Sequence, residues 1–158
     1  MQSKIVLITG ANSGIGKEAA IKFAGNDHTV VMACRDIERS KIVLNEIISK
    51  TGNQRVFLYK LDVSSFESIT KFADDFKNQF PKLDILINNA AYFNHGEGYA
   101  LNENGIEITF ATNVVGQYLL IESLVDYLKR SDDPRVLNAS SNIIKHFFSP
   151  KKVIDFSN

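Results

Sequence analysis

A glycine-rich turn near the amino terminus carries the most specific chemical pattern in this sequence. Residues 9–16 read Thr-Gly-Ala-Asn-Ser-Gly-Ile-Gly and join an apolar run to a helical pattern. Glycine lets the backbone turn tightly and approach a pyrophosphate, and the free N–H groups at the start of a helix attract phosphate oxygens. The spacing G-x-x-x-G-x-G differs from the commoner G-x-G-x-x-G. Its position after a first strand nevertheless favours a dinucleotide site over a tight turn without a ligand.

The elements that must position this turn alternate between short apolar runs and longer helical patterns. Five runs without strict alternation are typical of strands buried on both faces, at residues 5–8, 29–33, 56–59, 83–87 and 136–137. Three predicted helices have apolar residues on one face: Ile15, Ala19 and Phe23; Phe66, Ile69, Phe72, Phe76 and Phe80; Ile106, Phe110, Val114, Ile121, Leu124 and Leu128. Ser64 and Glu67 match a capping box that would begin the second helix. The pattern predicts an α/β fold, a doubly wound Rossmann-type three-layer sandwich with a parallel sheet.

The composition fits one globular domain over residues 1–158. Of the 158 residues, 44% are hydrophobic and 23% are charged, and 18 Lys and Arg balance 18 Asp and Glu. A net charge of zero argues against nucleic-acid binding and a polybasic membrane anchor. The one cysteine, Cys34, excludes an internal disulfide, and the histidines lack metal-ligand spacing, so we expect no metal site. The first predicted strand leaves no room for a signal peptide, and no uninterrupted apolar run is long enough to cross a bilayer. We therefore expect a cytoplasmic protein with no membrane span.

Four further motifs follow the glycine turn, and the five together resemble the short-chain dehydrogenase/reductase family. They are Asp62-Val63 after the third strand, Asn88-Asn89-Ala90-Ala91 at the end of the fourth, Asn113 on the next helix, and Ser140-Ser141 after the fifth. Ala91 stands where the family has glycine. The amino-acid sequences of the glycine turn and of residues 33–36 are most similar to those of the retinol-dehydrogenase-like branch. The resemblance implies cofactor binding by Gly10, Asn12, Ser13, Gly14, Ile15, Gly16, Arg35, Asp62, Val63, Asn89 and Ala90, with Asp62 near the adenine.

The end of the second strand indicates which nicotinamide cofactor is bound. An NAD site needs a carboxylate there for the ribose hydroxyls, whereas an NADP site needs a cation for the 2′-phosphate. Cys34 stands where an NAD-type aspartate would be, Arg35 follows it, and Lys17 lies just past the glycine turn. These residues favour NADP over NAD. The alternative is that Arg35 is a solvated residue at a strand end and that Asp36 only caps the next helix.

The resemblance also implies a mechanism. In the family a tyrosine is the general acid/base, a lysine four residues later lowers its pKa, a serine hydrogen-bonds the substrate oxygen and an asparagine holds a water. Ser141 and Asn113 match the last two positions. None of the five tyrosines has a lysine four residues later. We therefore expect an NADP-dependent oxidoreductase acting on a carbonyl/alcohol pair, with a retinoid, a steroid or another lipophilic compound as candidate substrate.

Two expectations follow for the chain by itself. Without the Tyr-x-x-x-Lys pair it should be inactive, because the chain is incomplete relative to the family after the fifth strand. The alternative is a non-catalytic dinucleotide-binding or interaction protein derived from that family. A sheet that ends at the fifth strand would have an unprotected edge, so we expect self-association, for example as a homo-oligomer.

Overall fold

The computed structural model describes residues 3–94 and 96–141, and these form one parallel five-stranded sheet with helices on both faces. The strands are β1 (Ile5–Thr9), β2 (Thr29–Cys34), β3 (Val56–Lys60), β4 (Ile85–Asn88) and β5 (Arg135–Asn138). The helices are α1 (Gly14–Gly25), α2 (Ile37–Thr51), α3 (Phe66–Gln79), α4 (Ile108–Phe110) and α5 (Gly116–Leu128), with a π-helical turn (Ala111–Val115) between the last two. The strand order is β3-β2-β1-β4-β5, so the doubly wound Rossmann-type prediction is confirmed.

Each face of the sheet has its own apolar core. Leu7 on β1 faces a cluster formed with α3 and α5, which includes Phe72 and Leu124. Its neighbours Val6 and Ile8 face the opposite cluster, formed with α1 and α2. Successive side chains of a strand point to opposite faces. Because both sets are fully buried, β1 is the central strand of a three-layer sandwich.

A buried carboxylate, Asp84, ties the amino ends of β1 and β4 together. Its side chain is 3% exposed and accepts hydrogen bonds from the Ile5 N–H at 2.8 Å and from Lys82 Nζ at 2.8 Å. The Ser131 hydroxyl is a third donor. Burial alone would raise the pKa of Asp84, but the hydrogen bonds outweigh it and hold the pKa below the ordinary value of 3.8. The charged carboxylate therefore stabilises the folded state.

The beginning of α3 differs from the prediction. The N-cap is Ser65, whose hydroxyl accepts a hydrogen bond from the Ser68 N–H at 3.3 Å, so the predicted cap at Ser64 is wrong by one residue. The Ser64 hydroxyl donates instead to Asp62 Oδ1 at 2.7 Å. Because Asp62 uses Ser64 to close the turn after β3, the next serine is left to cap the helix.

Three residues predicted to face the core are exposed. Ile15 is 82% exposed in the first turn of α1, which begins near the carboxyl end of β1. Phe110 and Val114 are 49% and 50% exposed. The π-helical turn contains Val114, and its wider i→i+5 bonding inserts one residue into the helical period. The buried face nevertheless continues through the turn at i, i+4 spacing, from Thr112 to Gly116 and Leu120. Phe110 and Val114 lie two residues before and after Thr112, so they are on the opposite side of the helix.

The strand β5 was predicted to be buried on both faces, and that prediction is wrong. All four of its residues are exposed, including Val136 at 41% and Leu137 at 48%. Among the described residues, β5 pairs only with β4 and lies at one edge of the sheet. An edge strand of this kind has unpaired backbone N–H and C=O groups on its outer side.

The segment Ile108–Leu128 is long and apolar enough, by length and composition, to cross a membrane, with a mean hydropathy of 1.3. Leu120, Leu124 and Leu128 of this segment pack into the core of the sandwich. Core helices of globular proteins meet the same length and composition criteria, so this property is weak evidence for a membrane span.

Candidate functional site

A cleft of ≈ 550 Å³ lies at the carboxyl ends of the strands, where the chain order reverses between β1 and β4. In open α/β sheets, ligands bind in the crevice at this position. Eight of the predicted cofactor residues line it: Gly10, Asn12, Ser13, Arg35, Asp62, Val63, Asn89 and Ala90. The other three, Gly14, Ile15 and Gly16, form the first turn of α1 beside it. A second concavity is lined by α3 alone, so polar groups from different elements do not converge there.

The glycine turn brings α1 close to the end of β4. Gly10 and Gly14 have φ of +66° and +51°, a left-handed conformation that residues with a side chain rarely adopt. A Cβ at Gly16 would lie 2.5 Å from Asn89 Nδ2 and 2.5 Å from the Gly10 carbonyl oxygen. The N-cap residue, Ser13, makes no side-chain cap hydrogen bond. The first N–H groups of α1 therefore lack a side-chain cap, next to a backbone that leaves space for a phosphate.

Thr9 and Asn89 hold this turn in place through hydrogen bonds. The Thr9 hydroxyl accepts hydrogen bonds from the Asn89 N–H at 3.0 Å and from the Ala90 N–H at 2.9 Å. Asn89 Nδ2 donates to the carbonyl oxygens of Thr9 at 3.0 Å and Gly10 at 3.3 Å. Two of the predicted cofactor residues, Asn89 and Ala90, thus use these groups to fix the turn. The sequence motif includes Thr9, but its role as the acceptor of both N–H groups depends on the pairing of β1 with β4.

Two arginines supply the positive charge of the cleft. Arg35 follows β2 directly, and Arg39 lies one helical turn later at the start of α2. Both line the cleft, and neither forms an ion pair within the described residues. Asp36 caps α2 by accepting a hydrogen bond from the Arg39 N–H at 3.0 Å. The sequence analysis did not predict Arg39 as a site residue, although its place in the first turn of the helix that Asp36 caps could have indicated it.

Lys17 does not join these arginines, and its predicted place beside the phosphate is wrong. Its ammonium group pairs with Glu46 Oε2 at 2.7 Å. Glu46 lies on the outer part of α2, so this ion pair ties α1 to α2 away from the cleft. The positive charge that faces the cleft comes from Arg35 and Arg39.

The turn after β3 forms the opposite wall. Asp62 Oδ1 accepts hydrogen bonds from the Ser64 N–H at 2.9 Å and from its hydroxyl, which orients the carboxylate in the cleft wall. Val63 is buried, and its carbonyl oxygen would lie 1.8 Å from a Cβ at Gly116. Gly116, which sequence reasoning did not place in the site, therefore allows α5 to pack directly against this wall.

Asn113 fixes the loop that follows β4. Its Oδ1 accepts a hydrogen bond from the Tyr92 N–H at 2.8 Å, and its Nδ2 donates to the Tyr92 carbonyl oxygen at 2.8 Å. Asn113 lies in the π-helical turn and holds the backbone of a residue that lines the cleft. The Tyr92 hydroxyl donates to Glu97 Oε2 at 2.8 Å, and this hydrogen bond raises the pKa of Tyr92. Tyr92 therefore keeps its proton at neutral pH.

Ser141 lies just after β5, on the exposed surface and outside the residues that line the cleft. The strand before it is joined to β4 by a hydrogen bond from Asn88 Nδ2 to Asn138 Oδ1 at 2.9 Å. Asn88 is buried, and its Oδ1 has no hydrogen-bond partner among the described residues. His95 and His146 lie outside the described residues, and within residues 3–94 and 96–141 no three potential metal ligands lie together.

Comparison with known proteins identifies the class to which this fold and cleft belong. The model of the short chain dehydrogenase family matches residues 4–149. Human dehydrogenase/reductase SDR family member 12 is 42% identical over 139 residues, which cover 87% of this chain and 43% of that protein. Human retinol dehydrogenase 11 is 40% identical over 141 residues, which cover 89% of this chain and 44% of that protein. The chain thus spans less than half the length of these relatives.

A solved structure gives the same result for the fold. A short chain dehydrogenase of Shigella flexneri, crystallised with NADP, superposes with a TM-score of 0.79 at 25% identity. The match covers 94% of this chain and 63% of the other. The chain belongs to the short-chain dehydrogenase/reductase family, in its retinol-dehydrogenase-like branch. Family and neighbour together support a nicotinamide dinucleotide as the class of cofactor.

Proposed function

We propose that this chain provides the NADP-binding part of an oxidoreductase that interconverts a carbonyl and an alcohol on a small lipophilic molecule. The observation that carries the proposal is the cleft, where the glycine turn and two arginines without ion pairs among the described residues face the same space. Retinoids are candidate substrates because retinol dehydrogenases are among the relatives. Steroids and other lipophilic carbonyl compounds are further candidates.

The described residues fit a dinucleotide that carries a phosphate on its adenosine ribose. The glycine turn and the N–H groups at the start of α1 would bind the pyrophosphate, because no Cβ fits at Gly16 and Ser13 does not cap the helix through its side chain. Arg35 and Arg39 would bind the 2′-phosphate. Asp62 and its neighbour Val63 would contact the adenine. Once bound, the cofactor supplies or accepts the hydride.

The roles of the remaining site residues are positioning and hydrogen bonding. Ser141 would hydrogen-bond the substrate oxygen at the carboxyl end of β5. Asn113 already holds Tyr92 through both polar atoms of its amide, and a water could use only its second N–H or its free lone pair. Neither residue supplies a proton at neutral pH as a tyrosine with a nearby lysine does, and no Tyr-x-x-x-Lys occurs in the 158 residues. We therefore propose that this chain alone has no appreciable turnover.

The test is an NADPH-oxidation assay with retinaldehydes, ketosteroids and small carbonyl compounds. The chain alone should show no turnover. A fusion that adds a carboxyl-terminal segment with Tyr-x-x-x-Lys from a full-length relative should oxidise NADPH, and Ser141→Ala in the fusion should lower its rate. General acid/base groups contribute roughly 10²–10⁴-fold to rates. Turnover by the isolated chain that is lost in Ser141→Ala would contradict the proposed need for the missing tyrosine.

A second candidate function is cofactor binding without catalysis, as a sensor or partner subunit. It is a candidate because the glycine turn and the two arginines of the cleft could bind the cofactor without a catalytic tyrosine. The same fusion distinguishes the two candidates. A fusion that binds NADPH but remains inactive with every substrate would favour the non-catalytic function.

A further inference from the structure

Ser40, near the start of α2, is a fully buried polar residue that the proposed function does not explain. Its hydroxyl donates to the Asp36 carbonyl oxygen and accepts a hydrogen bond from Asn12 Nδ2 at 3.0 Å. A buried hydroxyl costs free energy unless it is hydrogen-bonded, so both partners matter for the position of this side chain. Asp36 and Asn12 both line the cleft, on different elements. The Ser40 hydroxyl therefore connects the glycine turn and the N-cap of α2, two walls of the cleft, through buried hydrogen bonds.

Cys34, the last residue of β2, belongs to the same buried group. It is 1% exposed, and its sulfur lies beside the Ser40 side chain and the backbone of Ala11 and Asn12. Burial raises the pKa of the Cys34 thiol, so the thiol stays protonated and unreactive at neutral pH. Asn12, Cys34 and Ser40, which we call the Ser40 cluster, thus join the glycine turn, the end of β2 and the start of α2.

We propose that Ser40 is a positioning residue that sets the preference of the cleft for a phosphorylated adenosine ribose. The inference rests on the proposed function, which assigns the 2′-phosphate to the two arginines. Arg35 directly follows Cys34 in the chain, and Arg39 directly precedes Ser40. Both guanidinium groups are therefore attached to backbone that the Ser40 cluster holds against the glycine turn. The cluster fixes the separation between the group that binds the pyrophosphate and the group that binds the 2′-phosphate.

The matching of two phosphate sites explains why a buried serine would affect cofactor choice. A dinucleotide without the 2′-phosphate uses the glycine turn but not the two arginines. A change in the separation between turn and arginines therefore affects NADPH more than NADH. Ser40→Ala removes the acceptor of the Asn12 amide and loosens this connection without altering any residue that touches the cofactor.

The experiment measures the dissociation constants of NADPH and NADH by calorimetry for the wild type and Ser40→Ala. We expect the NADPH dissociation constant to rise about tenfold and that of NADH by about threefold or less, so the preference for NADPH falls. Thr51→Ala is the matched control, because Thr51 lies at the other end of α2 and its hydroxyl also donates to the carbonyl oxygen four residues earlier, at 2.8 Å. Thr51→Ala should lower stability but leave the NADPH-to-NADH ratio unchanged.

A double-mutant cycle separates positioning from a general loss of stability. Asn12→Ala breaks the same hydrogen bond from its less buried side, and it serves as the test if Ser40→Ala does not fold. The double variant Ser40→Ala/Asn12→Ala should lower the ratio of NADPH affinity to NADH affinity no further than Asn12→Ala does. Both variants lose the same hydrogen bond between Asn12 and Ser40, so the second substitution has nothing more to remove. A Ser40→Ala variant that binds both cofactors like wild type, or that weakens both equally, overturns the inference. A wild type that binds neither cofactor overturns the proposed function itself, which is a separate result.

Discussion

Replacing Gly16 by alanine tests how tightly the glycine turn must pack to form the proposed site. An added Cβ would lie 2.5 Å from Asn89 Nδ2 and from the Gly10 carbonyl oxygen, closer than real Cβ atoms approach either. To relieve both contacts, α1 must move away from the Gly10 carbonyl oxygen and Asn89 must give up its hydrogen bonds to Thr9 and Gly10. Both changes disturb the part of the cleft that would hold the pyrophosphate.

Helix propensity and packing act in opposite directions at this position. Alanine is favoured over glycine in a helix by about 1 kcal/mol. The loss of two hydrogen bonds costs about 2 kcal/mol, and overpacking of a tight contact costs about 1–3 kcal/mol. Packing is the larger effect, so Gly16→Ala should lower the free energy of unfolding by about 2–4 kcal/mol. That corresponds to a fall in Tm of roughly 5–15 °C for a chain of this size.

The assay combines thermal or urea unfolding with NADPH titration, and Gly25→Ala is the matched control. Gly25 lies in the same helix, and the nearest atom to a Cβ there is Thr51 Cγ2 at an ordinary 3.9 Å. Its stability should change by no more than about 1 kcal/mol and its NADPH affinity should stay the same. Gly16→Ala should also weaken NADPH binding by more than about tenfold. If Gly16→Ala unfolds and binds NADPH as Gly25→Ala does, the packing argument for the turn is refuted.

Three further predictions concern other parts of the fold. Asp84→Asn should lower the free energy of unfolding by about 1–3 kcal/mol at neutral pH. Because the folded pKa of Asp84 is lowered, this stabilisation is present above the ordinary value of 3.8 and is lost as the pH falls further. The difference between variant and wild type in urea unfolding should therefore shrink as the pH falls below 3.8 and through the lowered folded pKa, and a difference that does not shrink would count against the ionic role. Lys17→Met should leave NADPH affinity unchanged and lower the free energy of unfolding by at most about 1 kcal/mol, because Lys17 pairs with Glu46. A weaker NADPH affinity in Lys17→Met would show that Lys17 contributes to the cofactor site. The 158-residue chain should self-associate through β5, and Val136→Lys should reduce the associated fraction in size-exclusion chromatography, because an edge lysine opposes strand pairing. A monodisperse wild-type monomer would refute this prediction.

The architecture and the position of the cleft could be predicted because their signals are local in the sequence. Apolar runs located the five strands, helical spacing located α1, α3 and α5, and the glycines at residues 10, 14 and 16 marked the turn at the switch point. The carboxyl ends of parallel strands meet at one edge of a sheet, so motifs after β1, β2, β3 and β4 had to converge there. Eight predicted cofactor residues accordingly line the cleft.

The errors arose where a residue's partner is distant in the chain or where an apolar residue lies on the solvent side of a helix. Lys17 pairs with Glu46, twenty-nine positions later, and nothing near Lys17 in the sequence indicates that partner. Val114 was grouped with Leu124 on one helical face, but it lies two residues after the buried Thr112 and therefore faces solvent. The connection from Ser40 to Asn12 also depends on the packing of α2 beside the glycine turn, which the sequence pattern does not specify.

A calorimetric comparison of NADPH and NADH binding to the wild type and to the double variant Arg35→Ala/Arg39→Ala tests most directly whether this cleft binds NADP. A charge-assisted hydrogen bond contributes about 1.5–3 kcal/mol, so the wild type should bind NADPH at least about tenfold more tightly than NADH. The double variant should lose this preference while its NADH affinity stays nearly constant. Arg130→Ala, which removes a cation that lies over the Tyr127 ring and outside the cleft, should keep the preference. Equal affinities in the wild type, or a preference for NADPH that survives in the double variant, would contradict the assignment of this cleft to NADP.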